Sequence, residues 1–144
     1  MISLEQIRQA IFTAISEKTE IQPVADPPEE ISEGNGPYAV ITITSATKQV
    51  IAGGKVFKQV IQVEMMYLHG TSTTSPQYYQ GFDALEQAVL PSLLLEGIPV
   101  AVESTECKID REKGTGVLTF SMEFMDGEPD EQGDSMGEVQ IIAG

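Results

Sequence analysis

At 144 residues, 41% of them hydrophobic, the chain can bury one core without disulfides or metal and is too apolar for wholesale disorder. Its 22 acids against 8 bases give a net charge of −14, which sets it against nucleic acid and anionic membranes, because phosphate binding needs clustered Lys and Arg. One cysteine, Cys107, excludes an intrachain disulfide, and with one His and no Trp an enzyme would have few parts to work with.

The chain opens on a polar helix rather than a basic region and an apolar core, so no signal peptide is expected. The longest apolar cluster, Ala88–Leu95, is broken by Pro91 and is too short to span a bilayer. A soluble, intracellular protein is the expectation. Ser3–Glu17 reads as a helix, with Ser3 as N-cap and Gln6 completing a capping box. Leu4, Ile7, Ile11, Ala14 and Ile15 recur at helical spacing and predict one apolar stripe, with Glu5, Arg8, Gln9 and Glu17 outward. Residues Glu20–Gly36 contain Pro23, Pro27, Pro28, Gly34 and Gly36, which predicts a long surface loop.

From Tyr38 the pattern changes to period two. Pro37–Gln49 and Lys55–Leu68 read as strands joined by a two-residue turn at Gly53-Gly54. Ala39, Ile41 and Ile43 share one face of the first strand. Phe57, Gln59, Ile61, Val63, Met65 and Tyr67 share one face of the second. So long a hairpin is expected to outrun its sheet, and its tip, at Val50, Ile51, Gly53, Gly54 and Lys55, is a candidate intersubunit contact. Ser75–Leu95 reads as a second helix, with Ser75 as N-cap, Pro76 at its first position and Tyr78, Phe82, Leu85 and Val89 facing the core; Pro91 should kink or end it. Ile98–Ile109 and Gly116–Met125 form a last hairpin. In the latter strand Leu118, Phe120, Met122 and Phe124 alternate with polar neighbours.

The expected fold is therefore α+β: a mixed, mainly antiparallel sheet built from two hairpins with two helices packed on it, in the order helix-strand-strand-helix-strand-strand. It occupies residues 1–125, and residues 126–144 form an acidic C-terminal arm. That arm carries Asp126, Glu128, Asp130, Glu131, Asp134 and Glu138 and no base, yet ends in Val139, Ile141 and Ile142. Its apolar end is expected to dock by strand addition on another subunit or a partner.

Chemical signatures fail on inspection. Gly54-Lys55 lacks both the earlier glycine and the following Ser/Thr of a phosphate loop. The run Asp126, Glu128, Asp130 places Glu131 and Gly137 where a calcium loop needs Gly and Glu. His69 has Ser72, Ser75 and Asp83 nearby in sequence but no nucleophile elbow, and Cys107 has no second histidine as base. No catalytic, cofactor or metal residue is assigned, no cofactor is expected, and the chain reads as a non-enzymatic, self-assembling structural protein.

The segments LEQIRQAIFTAI, PYAVITIT, FKQVIQVEMMYL, YYQGFDALEQAV and GVLTFSMEFM, spanning about residues 4–125, resemble the small tail-terminator proteins of bacteriophages and phage-like contractile particles. Those proteins begin with an amphipathic helix and a "P-x-hydrophobic" strand and end in a hairpin whose last strand alternates Leu, Phe and Phe. The acidic loop at 20–36 and the arm at 126–144 depart from that pattern. The resemblance implies assembly in the host cytoplasm into a homo-hexameric ring that binds the last ring of the tail tube protein and ends tube polymerisation. Such a ring then offers a joining surface to a sheath or head-completion protein. With −14 charges per subunit, the ring lumen is expected to be acidic. Another neck, head-completion or tube protein would also form rings, whereas a small ligand-binding domain or enzyme, resting on His69, would not.

Overall fold

The computed structural model describes residues 2–26, 37–51, 53, 55–69 and 73–127. Along the chain lie α1 (Leu4–Lys18), β1 (Gln22–Val24), β2 (Tyr38–Ile51), β3 (Val56–Leu68), α2 (Ser75–Val89), β4 (Ser92–Leu95), β5 (Ile98–Asp110) and β6 (Thr115–Gly127). The fold is α+β. The strands form one sheet in the order β1-β2-β3-β6-β5-β4; β1 pairs parallel to β2 and every other neighbouring pair is antiparallel.

Both helices start on reciprocal caps. The Gln6 N–H donates to Ser3 Oγ at 3.1 Å and the Ser3 N–H to Gln6 Oε1 at 2.7 Å. In α2 the cap is Thr74, one residue before the expected Ser75, and Gln77 completes the box. The buried stripe of α1 is Ile7, Ile11, Ala14 and Ile15. Leu4, expected on it, is 47% exposed, because a first-turn side chain leans past the end of its helix.

Three differences from the sequence reading concern breakers. Helix α2 ends at Val89, not Leu95, because Leu90, the residue before Pro91, is extended (φ −89°, ψ 147°) and Pro91 has no N–H to continue the helix. Ser92–Leu95 then becomes β4, burying Leu93 and Leu95 and exposing Leu94. Glu96 and Gly97, both at positive φ, turn it directly into β5. Within the expected loop at 20–36, Gln22–Val24 forms β1, and its Pro23 is tolerated because β1 is a sheet edge. The ladder of β2 and β3 closes at Ile51↔Val56, so four residues join them rather than two.

The core is built on β3 and β6. Ile61, Val63, Met65 and Tyr67 face the helices beside Met122, Phe120 and Leu118, with Gln59 buried at the end of the same row. From α2, Tyr78, Phe82, Leu85 and Val89 pack down on it. Helix α1 touches α2 as well as β1, β2 and β4, strands at opposite ends of the order, so the sheet curls round its helices. The expectation that the hairpin outruns its sheet fails: β6 accompanies β3 to the end, Val56↔Gly127, and so runs two residues past the expected Met125.

An aromatic joint fixes α2 on the sheet. Tyr78 stacks on Phe82 with ring centroids 5.8 Å apart, meets Tyr67 edge-on at 6.3 Å, and donates through its hydroxyl to the Gly114 carbonyl at 3.2 Å. A Cβ on Gly116 would stand 2.2 Å from the Tyr78 ring, and one on Gly81 would stand 2.4 Å from the Tyr67 ring. Both rings are buried and cannot swing away. Gly116→Ala is therefore expected to destabilise the fold by about 1–3 kcal/mol through overpacking, read from urea unfolding midpoints. An unchanged midpoint would show that the joint yields.

Candidate subunit-contact surfaces

Strands that are polar on both faces belong where no second layer covers them. Two segments come near that character: Thr44–Val50 in β2, polar but for Ala46 and Val50, and Glu103–Asp110 in β5, polar but for Cys107 and Ile109. Beyond Val40, where β1 stops, no outer strand is paired to β2 from Ile41 to Ile51 among the described residues. On the other side, the Val102 N–H still donates to the Pro91 carbonyl at 3.0 Å, and from Glu103 to Asp110 no outer strand is paired to β5 among the described residues. The sheet thus presents two long open edges at opposite ends of its four long strands. With β2 antiparallel to β3, β3 to β6 and β6 to β5, the two edges run antiparallel to each other. Each carries a bulge, between Ile43 and Ser45 and between Glu103 and Thr105, where Ser104 takes φ 31°. Sequence reasoning singled out the hairpin tip and missed these edges. Polarity on both faces was the available signal.

The tip residues do not form one patch. Val50 pairs with Phe57 and is 60% exposed on the helix side of the sheet, while Ile51 pairs with Val56 on the other side and is half-buried. Gly53 supplies a positive φ of 72° and Lys55 is exposed. Gly54, and Val139, Ile141 and Ile142 of the arm, lie outside the described residues.

The helix-free face of the sheet carries Glu64, Glu103, Glu106 and Glu123 against Lys58 and Lys108. Lys58 meets Glu123 at 3.4 Å across the β3–β6 pair, and Lys108 meets Glu106 at 3.9 Å. Such exposed pairs contribute little stability. They leave the face net negative. At the far end of β6, Asp126 Oδ2 accepts the Ile2 N–H at 2.7 Å and Gln59 Nε2 at 2.8 Å, tying the chain start to β3 and β6.

The chemistry-bearing residues are spread out. The His69 ring meets the Tyr67 hydroxyl at 3.3 Å and the His69 backbone N–H donates to Thr73 Oγ1 at 3.0 Å; Ser75 Oγ accepts from Arg111 at 2.9 Å, and Ser72 lies outside the described residues. Among the described residues no three His, Cys, Asp or Glu side chains stand together as metal ligands, and no helix is long and apolar enough to cross a membrane. Neither a family model nor a curated protein matches the chain.

Cys107 sits on the open edge of β5, opposite Leu118. Partial burial first, then the carboxylates of Glu86 and Asp83, push its thiol up to about 11 from 9.0. The group is neutral below that value, so its thiolate population near pH 8 is roughly a hundredfold below that of an unperturbed thiol. Iodoacetamide labelling of the folded chain is expected to be slower by that factor and to accelerate until about pH 11. Glu86→Gln with Asp83→Asn should speed it at pH 8. Labelling at the rate of a free thiol would contradict this account.

Proposed function

We propose that this chain is a structural subunit that closes into a ring by pairing the open edge of β2 with the open edge of β5 of the next copy, and that the ring caps the tail tube of a phage or phage-like particle. The observation that carries the ring is the pair of long, antiparallel edges, on β2 and β5, to which no outer strand is paired over most of their length among the described residues. A contact between two different edges is head-to-tail, and such contacts either close into a ring or run on as a filament. Pairing β2 with a neighbour's β5 continues the antiparallel alternation without turning either subunit over. Both edges are mainly polar, which favours solubility before assembly, and main-chain hydrogen bonds supply the affinity.

The particle is supplied by the resemblance of residues 4–125 to tail-terminator proteins: six copies, bound to the last ring of tube protein, ending tube growth and offering a surface to a sheath or head-completion protein. The reading assigns no catalytic step, membrane or nucleic-acid contact to the chain. With the helices outside, the helix-free face lines the lumen, and Glu64, Glu103, Glu106 and Glu123 outweigh Lys58 and Lys108 there. Like charge then keeps any passing DNA off the wall. A reconstruction of the assembled ring is expected to show a negative lumen; a basic one would count against this placement.

The ring itself is tested by crosslinking. Cys107 lies on the helix side of β5, and Ala46, Lys48 and Val50 occupy that side of β2. Ala46→Cys, Lys48→Cys and Val50→Cys, made one at a time, are expected to give under copper-catalysed oxidation a ladder of disulfide-linked species that ends at a closed ring. Monomers from all three variants would remove the edge pairing. Particles assembled without this protein should carry tubes of uncontrolled length in negative stain. Tubes of normal length would exclude the capping role.

A further inference from the structure

The start of β5 and the end of β6 part company. Their ladder runs from Asp110↔Thr115 to Val102↔Met122 and stops there. Among the described residues, β6 continues from Glu123 to Gly127 paired to a strand on one side only, to β3 residues Val56–Val60. Strand β5 likewise begins, among the described residues, with Ile98–Ala101 paired on one side only, to β4. The bulge at Ser104, two residues beyond the last rung, bends β5 where the two strands separate. Between them lies a groove of about 450 Å3, lined by Ile2, Ile98, Val100, Phe124 and Met125 among others, with Glu123 and Asp126 also on it. Ile98 is 60% and Met125 57% exposed. A run of half-paired backbone beside exposed apolar side chains is a site for an added strand.

The groove reaches to Gly127, the last residue of β6. Residues 128–138 can extend roughly 35 Å, and a five-residue strand covers about 17 Å, so the next segment can turn back along β6. That segment is Val139-Gln140-Ile141-Ile142-Ala143, free of charged side chains and rich in β-branched residues. The acids of the arm, Glu128, Asp130, Glu131, Asp134 and Glu138, all precede it in sequence, so the segment itself brings no charge to Glu123 and Asp126. We propose that residues 139–143 of the same chain fill this groove as a strand antiparallel to β6. Tethering favours the chain's own segment over that of a second copy, because a short connector sets an effective concentration in the millimolar range. The proposal concerns the end of the arm within one subunit and does not depend on the ring.

Amide hydrogen exchange on the full chain tests it. The amides of residues 139–142 and those of 123–127 are expected to exchange at least tenfold more slowly than unstructured backbone, unchanged on tenfold dilution. Ile98→Asp with Met125→Asp, both at exposed positions, should release the tail amides while leaving β3 and α1 protected. Ile141→Asp with Ile142→Asp should release them too and raise exchange at 123–127, without touching the groove itself. Tail amides exchanging at the unstructured rate in the full chain would overturn the proposal. Protection that disappears on dilution would overturn it in favour of a second copy as occupant.

Discussion

The structure depends on covering one face of β3. This strand is paired along its whole length, to β2 on one side and to β6 on the other, and its helix-side row from Ile61 to Tyr67 is fully buried. Each of these aliphatic side chains contributes roughly 1.5–3 kcal/mol when removed from water, so a single uncovered row would undo a domain of this size. The two helices are there to cover it. Helix α1 brings Ile7, Ile11 and Ile15, α2 brings Phe82, Leu85 and Val89, and the contact between the helices closes the layer. Close approach of α2 requires glycine at 81 and 116, where the Tyr67 and Tyr78 rings occupy the space a Cβ would need.

Because two helices cover only part of a six-stranded sheet, the periphery is left to polar residues. The two long edges carry mainly polar residues, with Ala46 and Val50 on β2 and Ile109 on β5 as exceptions, and β5 still meets α2 where the Thr105 hydroxyl donates to Glu86 Oε2 at 2.6 Å. Natural sheets shorten, bend or charge such edges to stop indiscriminate pairing. Here each edge carries a bulge and charged side chains, Lys48 on β2 and Glu103, Glu106 and Lys108 on β5. These features restrict pairing without abolishing it, which suits an edge that meets one complementary partner. The same economy explains why one end of the sheet splays: β5 leaves β6 after Val102 in order to pair with β4, whose Leu93 and Leu95 complete the core beside α1.

Much of this was legible along the chain. Capping residues, helical spacing and strict alternation marked both helices and the four long strands, because each signal is local and each element buries one regular face. Gln59 stood in an otherwise apolar row and is buried there, tied to Asp126. The errors fell where local rules compete. Ser92–Leu95 is apolar enough to extend a helix, and only the extended Leu90 and a seat beside β5 made it a strand. Gln22–Val24 carries a proline and acquires strand geometry only from pairing with β2. Both short strands are defined by their neighbours rather than by themselves.

The sequence alone determined the element types, the buried rows, the net negative charge and the scarcity of chemistry-bearing residues, because composition and periodicity are properties of the chain itself. Only the tertiary structure decided the strand order, and with it which edges are open. Sheet order depends on contacts between residues far apart in sequence, such as Val56 with Gly127, that no local pattern encodes. The candidate surfaces follow from that order: two open edges and a splayed groove exist only because β6 was placed between β3 and β5.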